Sequence, residues 1–273
     1  MRRFFGVFPA SVDPGAASAV TVRPPVAEDD DADLVVFAFP VWYLAPALPM
    51  RAFAGAEPQV FDGRAVVGLV ACRNMWYSAA LEVRRLIQAS GGRYLGTIAA
   101  VDTASAGITF VTTLRWLLAG KREASWGFPR AGVGTDELDR LALLGERLAE
   151  LAPAETGFGP AAAGPASEED LADRVRDVLA AHDAAPVHTP LAAADLLAGK
   201  VFRVWGRVIR AAGRRGEVRR NALTGVFVLW LLGAVLAGLP AVVVTRVLFR
   251  AGFDAAVARR LAPVVAGPTE VRR

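Results

Sequence analysis

Leu34-Val35-Val36-Phe37-Ala38-Phe39-Pro40-Val41-Trp42-Tyr43 is the stretch whose reading decides the fold. Residues 34–39 are apolar without a break, the pattern of a strand buried on both faces of a parallel sheet. Pro40 has no N–H for a ladder and ends it. Downstream the pattern recurs. Arg64 to Cys72 (RAVVGLVAC) reads as a second buried strand, and Tyr94 to Val101 as a third. Between them, Ser78 to Ser90 is an amphipathic helix stopped by Gly91-Gly92. Ala45 to Ala54 and Ile108 to Ala119 read as helical, and Thr135 is expected to cap a helix running to Leu151. Strands alternating with helices, and no hairpin signal, predict an α/β domain over residues 34–151 with an open, doubly wound parallel sheet. Upstream, residues 1–33 read as irregular, with four prolines and the acidic run Glu28 to Asp31.

Composition bounds the rest. The 273 residues allow one or two domains, and the apolar fraction of 54% with a mean hydropathy of +0.37 points to lipid. With 27 acidic residues against 31 basic, the chain is not overwhelmingly basic, and no nucleic-acid partner is expected. The single Cys72 excludes an intramolecular disulfide and a Cys-rich zinc site, and no metal centre is expected. Phe4 to Phe8 is too short for a secretion signal, so the soluble part is expected on the cytoplasmic face of the cell inner membrane.

Residues 152–167 (APAETGFGPAAAGPAS) form a linker, and Ser167 with Asp170 opens a short helix through His182, so 152–189 is read as a linker region. Residues 190–273 read as a membrane-anchoring region. Asn221 to Thr245 carries no charge, and as a helix it reaches about 36 Å, enough for a hydrocarbon core of about 30 Å. Pro240 is expected to kink it, leaving one kinked span or a hairpin into one leaflet. Just before it, over residues 200–214, Arg203, Arg207, Arg210 and Arg214 share one helix face opposite Val201, Phe202, Trp205, Val208 and Ile209. That pattern suits a helix in the headgroup plane, its guanidinium groups on lipid phosphates. Basic residues flank both ends of the apolar segment, so the positive-inside rule favours a cytoplasmic N-terminal side only by a small margin.

Ligands of open parallel sheets bind beyond the carboxyl ends of the strands. After the first strand comes Pro40-Val41-Trp42-Tyr43, and after the second comes Cys72-Arg73-Asn74-Met75-Trp76. Trp42, Tyr43 and Trp76 suit stacking on a planar ring; Arg73, Asn74 and backbone amides suit its polar edge. The competing reading is that these aromatics pack over the sheet ends. DLVVFAFPVWYLAPALPMRAF followed by FDGRAVVGLVACRNMW resembles the flavodoxin-like fold, in which two such loops bracket FMN. CRNMW with TTLRWLLAGKRE and the basic tail resembles bacterial dialkylresorcinol condensing enzymes. The resemblance implies FMN as cofactor, with Pro40, Trp42, Tyr43, Arg73, Asn74, Met75 and Trp76 around it.

One departure from that family is plain. Its opening strand and Ser/Thr/Gly-rich phosphate loop have no counterpart, since Leu34 to Phe39 corresponds to the family's third strand. The domain is therefore expected to be N-terminally incomplete, the chain starting at an internal Met, or to be a relative that lost the cofactor. Cys72 reads as a core residue rather than a nucleophile, and His182 and His188 as solvated. Asp102, with Thr103 and Ser105 after the third strand, reads as a helix cap or a substrate contact, capping being the commoner role. Arg115, Lys121 and Arg122 read either as a solvated face or as a dock for an anionic group. The expectation is thus a membrane-tethered flavodoxin-like oxidoreductase acting on a lipophilic small molecule such as a quinone or aromatic polyketide, with a nicotinamide as candidate donor. The alternatives are condensation or cyclisation in aryl-lipid synthesis, and a non-catalytic membrane scaffold.

Overall fold

The computed structural model describes residues 2–22, 32–102, 104, 106–151 and 168–266. Its sheet has the order β2-β1-β3-β4, with β1 (Leu34–Trp42), β3 (Ala65–Ala71) and β4 (Arg93–Ala100) parallel and β2 (Ala45–Pro46) antiparallel on β1. The largely apolar β3 and β4 are covered on both faces, β3 between two neighbours and β4 last in the order. On one face lie α2 (Leu48–Ala56) and α3 (Tyr77–Ala89), where Phe37, Phe39, Val66 and Val70 meet Val83 and Ile87. On the other, α5 (Thr135–Ala149) and α6 (Glu168–Ala181) bring Leu144, Val175 and Leu179 onto Val67, Leu95 and Ile98. The parallel α/β reading holds for these strands.

The expectation that residues 34–39 are buried on both faces does not hold. Phe37 and Phe39 are buried, but Val36 is 48% exposed, and Ala38 and Pro40 face outward too. Among the described residues, α5 and α6 cover β3, β4 and the start of β1 at Leu34, and leave the rest of that face of β1 open. Nor are residues 1–33 irregular throughout. Arg2–Ser11 forms α1 despite Pro9, and Pro14–Ala19 is a 3-10 turn opened by the Asp13 side chain, which accepts from the Gly15 N–H. Packing overrides propensity here, since α1 sinks Phe8 completely, and Val12 just after it is buried too. Thr135 is the first residue of α5, not its cap, the flanking position being Gly134.

The tail shares the core of the α/β body. The stretch read as residues 200–214 belongs to α7 (Thr189–Gly213), which lies along α3 and α1. Glycines permit that approach: a Cβ on Gly199 would sit 2.6 Å from Ser78 Oγ, and one on Gly206 would meet Val12. After α7, α8 (Glu217–Gly233), a π turn over Ala234–Gly238 and α9 (Leu239–Leu248) form one helical run of 32 residues, long and apolar enough to cross a membrane. The π turn ends two residues before Pro240 and takes up the irregularity that its ring and missing donor impose. The run doubles back along α7. Near its start Phe227 and Trp230 lie 5.7 and 6.0 Å from Trp205. At its end the charge of Arg246 bears on His188, just before α7. Then α10 (Arg250–Leu261) returns to the body, where Val257, Leu261 and Val264 join Trp76, Tyr77 and Ala192 in the core.

Charged side chains fasten these layers. Arg51 on α2 pairs with Glu82 on α3 at 2.6 Å, their side chains 2% and 8% exposed, and Arg51 Nη1 donates to the Ser11 carbonyl at the end of α1. Arg203 lies 4.0 Å from Glu82, and Arg210 pairs with Asp13. Arg203 and Arg210, expected on lipid phosphates, are thus held by carboxylates of the same chain, while Arg207 and Arg214 stay exposed.

Candidate functional site at the strand ends

Register places Pro40, Ala71 and Ala100 level, so the loops after β1, β3 and β4 meet at one end of the sheet. The loop after β1 is a two-residue hairpin. Val41 faces Pro46 and Trp42 faces Ala45, while Tyr43 (φ 53°) and Leu44 (φ 63°) both adopt the left-handed conformation of a type I′ turn. No Asn or Gly announces it, and left-handed backbone is costly for such residues. Tertiary contact compensates, as Tyr43 packs edge-to-face on Phe8 with ring centroids 5.0 Å apart. Burial pushes its phenol well above the usual range. Trp42, 43% exposed, keeps an accessible ring.

After β3, Cys72, Arg73, Asn74 and Met75 are half-buried. Trp76 is fully buried and tilted against Tyr77, with centroids 4.5 Å apart. It is a core residue, which matches the competing reading of packing rather than a ring open to a ligand. Arg73 Nη2 reaches Asp102 at 3.1 Å, the Thr109 carbonyl at 3.0 Å and Thr112 Oγ1 at 2.6 Å. Asp102 in turn accepts from the Ala104 and Gly132 N–H groups, a wider role than a cap. The ion pair bolts together the loops after β3 and β4. Arg73 Nε and Nη1 are buried and find no acceptor among the described residues, a deficit that a bound oxygen would relieve. Burial pushes the Cys72 thiol up to about 12, aided by the Asp195 charge, so it stays protonated at neutral pH. Arg115 and Arg122 are used on the following loop: Arg115 donates to Glu123 and Ser125, and Arg122 donates to Ala131 and lies over Trp116 at 5.7 Å. Thr103 and Ser105 lie outside the described residues.

The helix N-terminus after β3, where a phosphate would bind most readily, already has an occupant. Fully buried Asp195 of α7 accepts from the Ser78 N–H at 2.9 Å and the Tyr77 N–H at 3.2 Å. Of the residues expected around FMN, Trp76 and Tyr43 are therefore engaged in packing, and Asp195 occupies the helix N-terminus after β3. Burial raises the Asp195 carboxyl to about 7, against the lowering effect of the Ser78 and Tyr77 donors and of Arg203. Its folded pKa exceeds its ordinary value of 3.8, so its contribution to stability is full below about pH 4 and is lost as pH rises through about 7. Melting curves of wild type and Asp195→Asn from pH 4 to 8 should show the wild type losing ground to the variant steadily over that window. A constant difference between them would contradict the assignment.

Sequence reasoning missed Asp195, whose partners lie on a distant helix, and the Arg51–Glu82 pair. Among the described residues there is no cluster of His, Cys, Asp and Glu able to hold a metal. Compared with known proteins, the chain matches no family model, no curated protein and no solved structure.

Proposed function

We propose that the chain is a membrane-surface protein whose α/β body is held on one bilayer face by the α8–α9 run lying in the plane of the membrane. There it acts on a lipophilic or amphiphilic small molecule whose polar oxygen meets the free donors of Arg73. One observation carries this reading: both ends of the apolar run return to the same body, and only 6% of its most apolar stretch is buried. A water-soluble protein would hide such a ridge, whereas a bilayer covers it. On this reading the body lies on the cytoplasmic face of the inner membrane.

Flavin-dependent oxidation or reduction of a quinone or aromatic polyketide is the chemistry the family resemblance adds, and condensation in aryl-lipid synthesis is its rival. Trp42, exposed beside the Arg73 loop, is what favours a planar ligand. The visible absorbance spectrum of full-length protein purified in detergent tests the redox reading. Bound flavin that is lost in Trp42→Ala with an unchanged melting temperature supports it. A colourless protein that stays colourless after incubation with FMN rejects it.

A further inference from the structure

A groove of about 660 Å³ lies between α3, α7 and α10, far in sequence from the strand-end loops. Its rim carries Arg84, Arg85, Lys200, Arg203, Arg259 and Arg260, and no carboxylate lines it. Arg203 has Glu82 at 4.0 Å; the other five rim cations have no ion-pair partner among the described residues. Like charges gathered at such density repel one another, and an anion seated among them offsets that cost. The floor is apolar, made by Leu81, Leu196, Phe253 and Val257, with Leu197 62% exposed at the edge. Cations above an apolar floor match a molecule with an anionic head and a hydrocarbon chain, and a purely polar anion would leave that floor wet.

The position of the groove identifies the source of that molecule. The exposed ridge ends at Val247, Leu248 and Phe249, each at least 67% exposed, and the Phe253 N–H donates to the Phe249 carbonyl one helical turn on. Phe253 is a wall of the groove. The mouth therefore adjoins the end of the surface assigned to the bilayer, at the depth of the headgroups. We infer that this groove binds the phosphate head of an anionic lipid, the acyl chain running over Phe253 toward the ridge. The inference rests on the membrane-surface reading and adds a specific lipid site to it.

Flotation of the full-length protein, diluted from detergent onto vesicles, tests it. One vesicle set is phosphatidylcholine alone, and the other contains about a fifth phosphatidic acid. Wild type should float with both sets and bind the anionic one roughly tenfold more tightly or better, given the attraction each basic residue adds near such a surface. Arg85→Gln/Lys200→Gln/Arg260→Gln, all exposed positions, should lose that preference and still float with neutral vesicles. Arg130→Gln/Arg147→Gln/Arg174→Gln removes the same charge elsewhere and should keep it. Equal loss in both triple variants, or none in the first, overturns the lipid site, as does abolition of the preference by millimolar inorganic phosphate. Wild type that floats with neither vesicle overturns the membrane reading itself, a distinct result.

Discussion

Replacing Leu229, Leu232, Leu236, Val243 and Val247 together by glutamine should move the full-length protein from the membrane fraction to the soluble one without unfolding it. These side chains are between 50% and 74% exposed and follow one another at helical spacing, so they form one outward stripe along α8, the π turn and α9. Each Leu or Val moved from water to lipid gains up to about 1.5–3 kcal/mol when fully covered, so partial covering of five gives a total on the order of 5 kcal/mol. That is several decades of partitioning at 1.4 kcal/mol per decade. The opposite face behaves differently. Phe227 is fully buried and stacked on Phe8 at 4.0 Å, so Phe227→Gln should lower the melting temperature sharply. Fractionation and circular dichroism melting on both variants check this. Membrane retention of the five-site variant would contradict the ridge. Deleting everything after residue 189 is a poorer test, because α7 and α10 supply Ala192, Val257 and Leu261 to the core.

Glu82→Ala should cost about 3–5 kcal/mol, the usual penalty for leaving one member of a buried ion pair alone. Arg51 would then keep an uncompensated charge at 3% exposure, with its Nη2 already lacking an acceptor. For a chain of this size the melting temperature should fall by roughly 6–20 °C. Because Arg51 also holds the Ser11 carbonyl, α1 should become sensitive to protease in the same variant. Glu82→Leu with Arg51→Met should recover most of the loss, since an apolar pair of similar volume leaves no charge behind. A drop below about 1 kcal/mol in Glu82→Ala would contradict the burial assigned to the pair.

How much of this was legible in the sequence depends on where each signal resides. Arg64 to Cys72 and Tyr94 to Val101 were readable because a short, largely apolar run is a local property. The exposure of Val36 was not, since it depends on which helices reach β1. The hairpin at Tyr43-Leu44 carries none of the usual turn residues; Phe8, far away in sequence, supports it. Pro9 argued against a helix that only burial of Phe8 and Val12 sustains. For the strand-end site, Arg73 was visible as a donor, but its clamp on Asp102 needs the loops after β3 and β4 side by side. Trp76 was misread because an aromatic beyond a strand looks the same in sequence whether it faces a ligand or the core. The Arg84-Arg85 and Arg259-Arg260 pairs were in plain view, yet only the return of α10 to α3 and α7 joins them.

The central claim is that the apolar run begins and ends on one side of the membrane. In a chain with Cys72 replaced by alanine, single cysteines at Arg215 and Gly252 mark its two ends, and both positions are exposed. Sealed inner-membrane vesicles of known orientation, treated with a membrane-impermeant maleimide, give the answer. Both cysteines should react from the same side, and neither should be reached from the other until detergent is added. Reaction of Arg215→Cys from one side and Gly252→Cys only from the opposite side would contradict it.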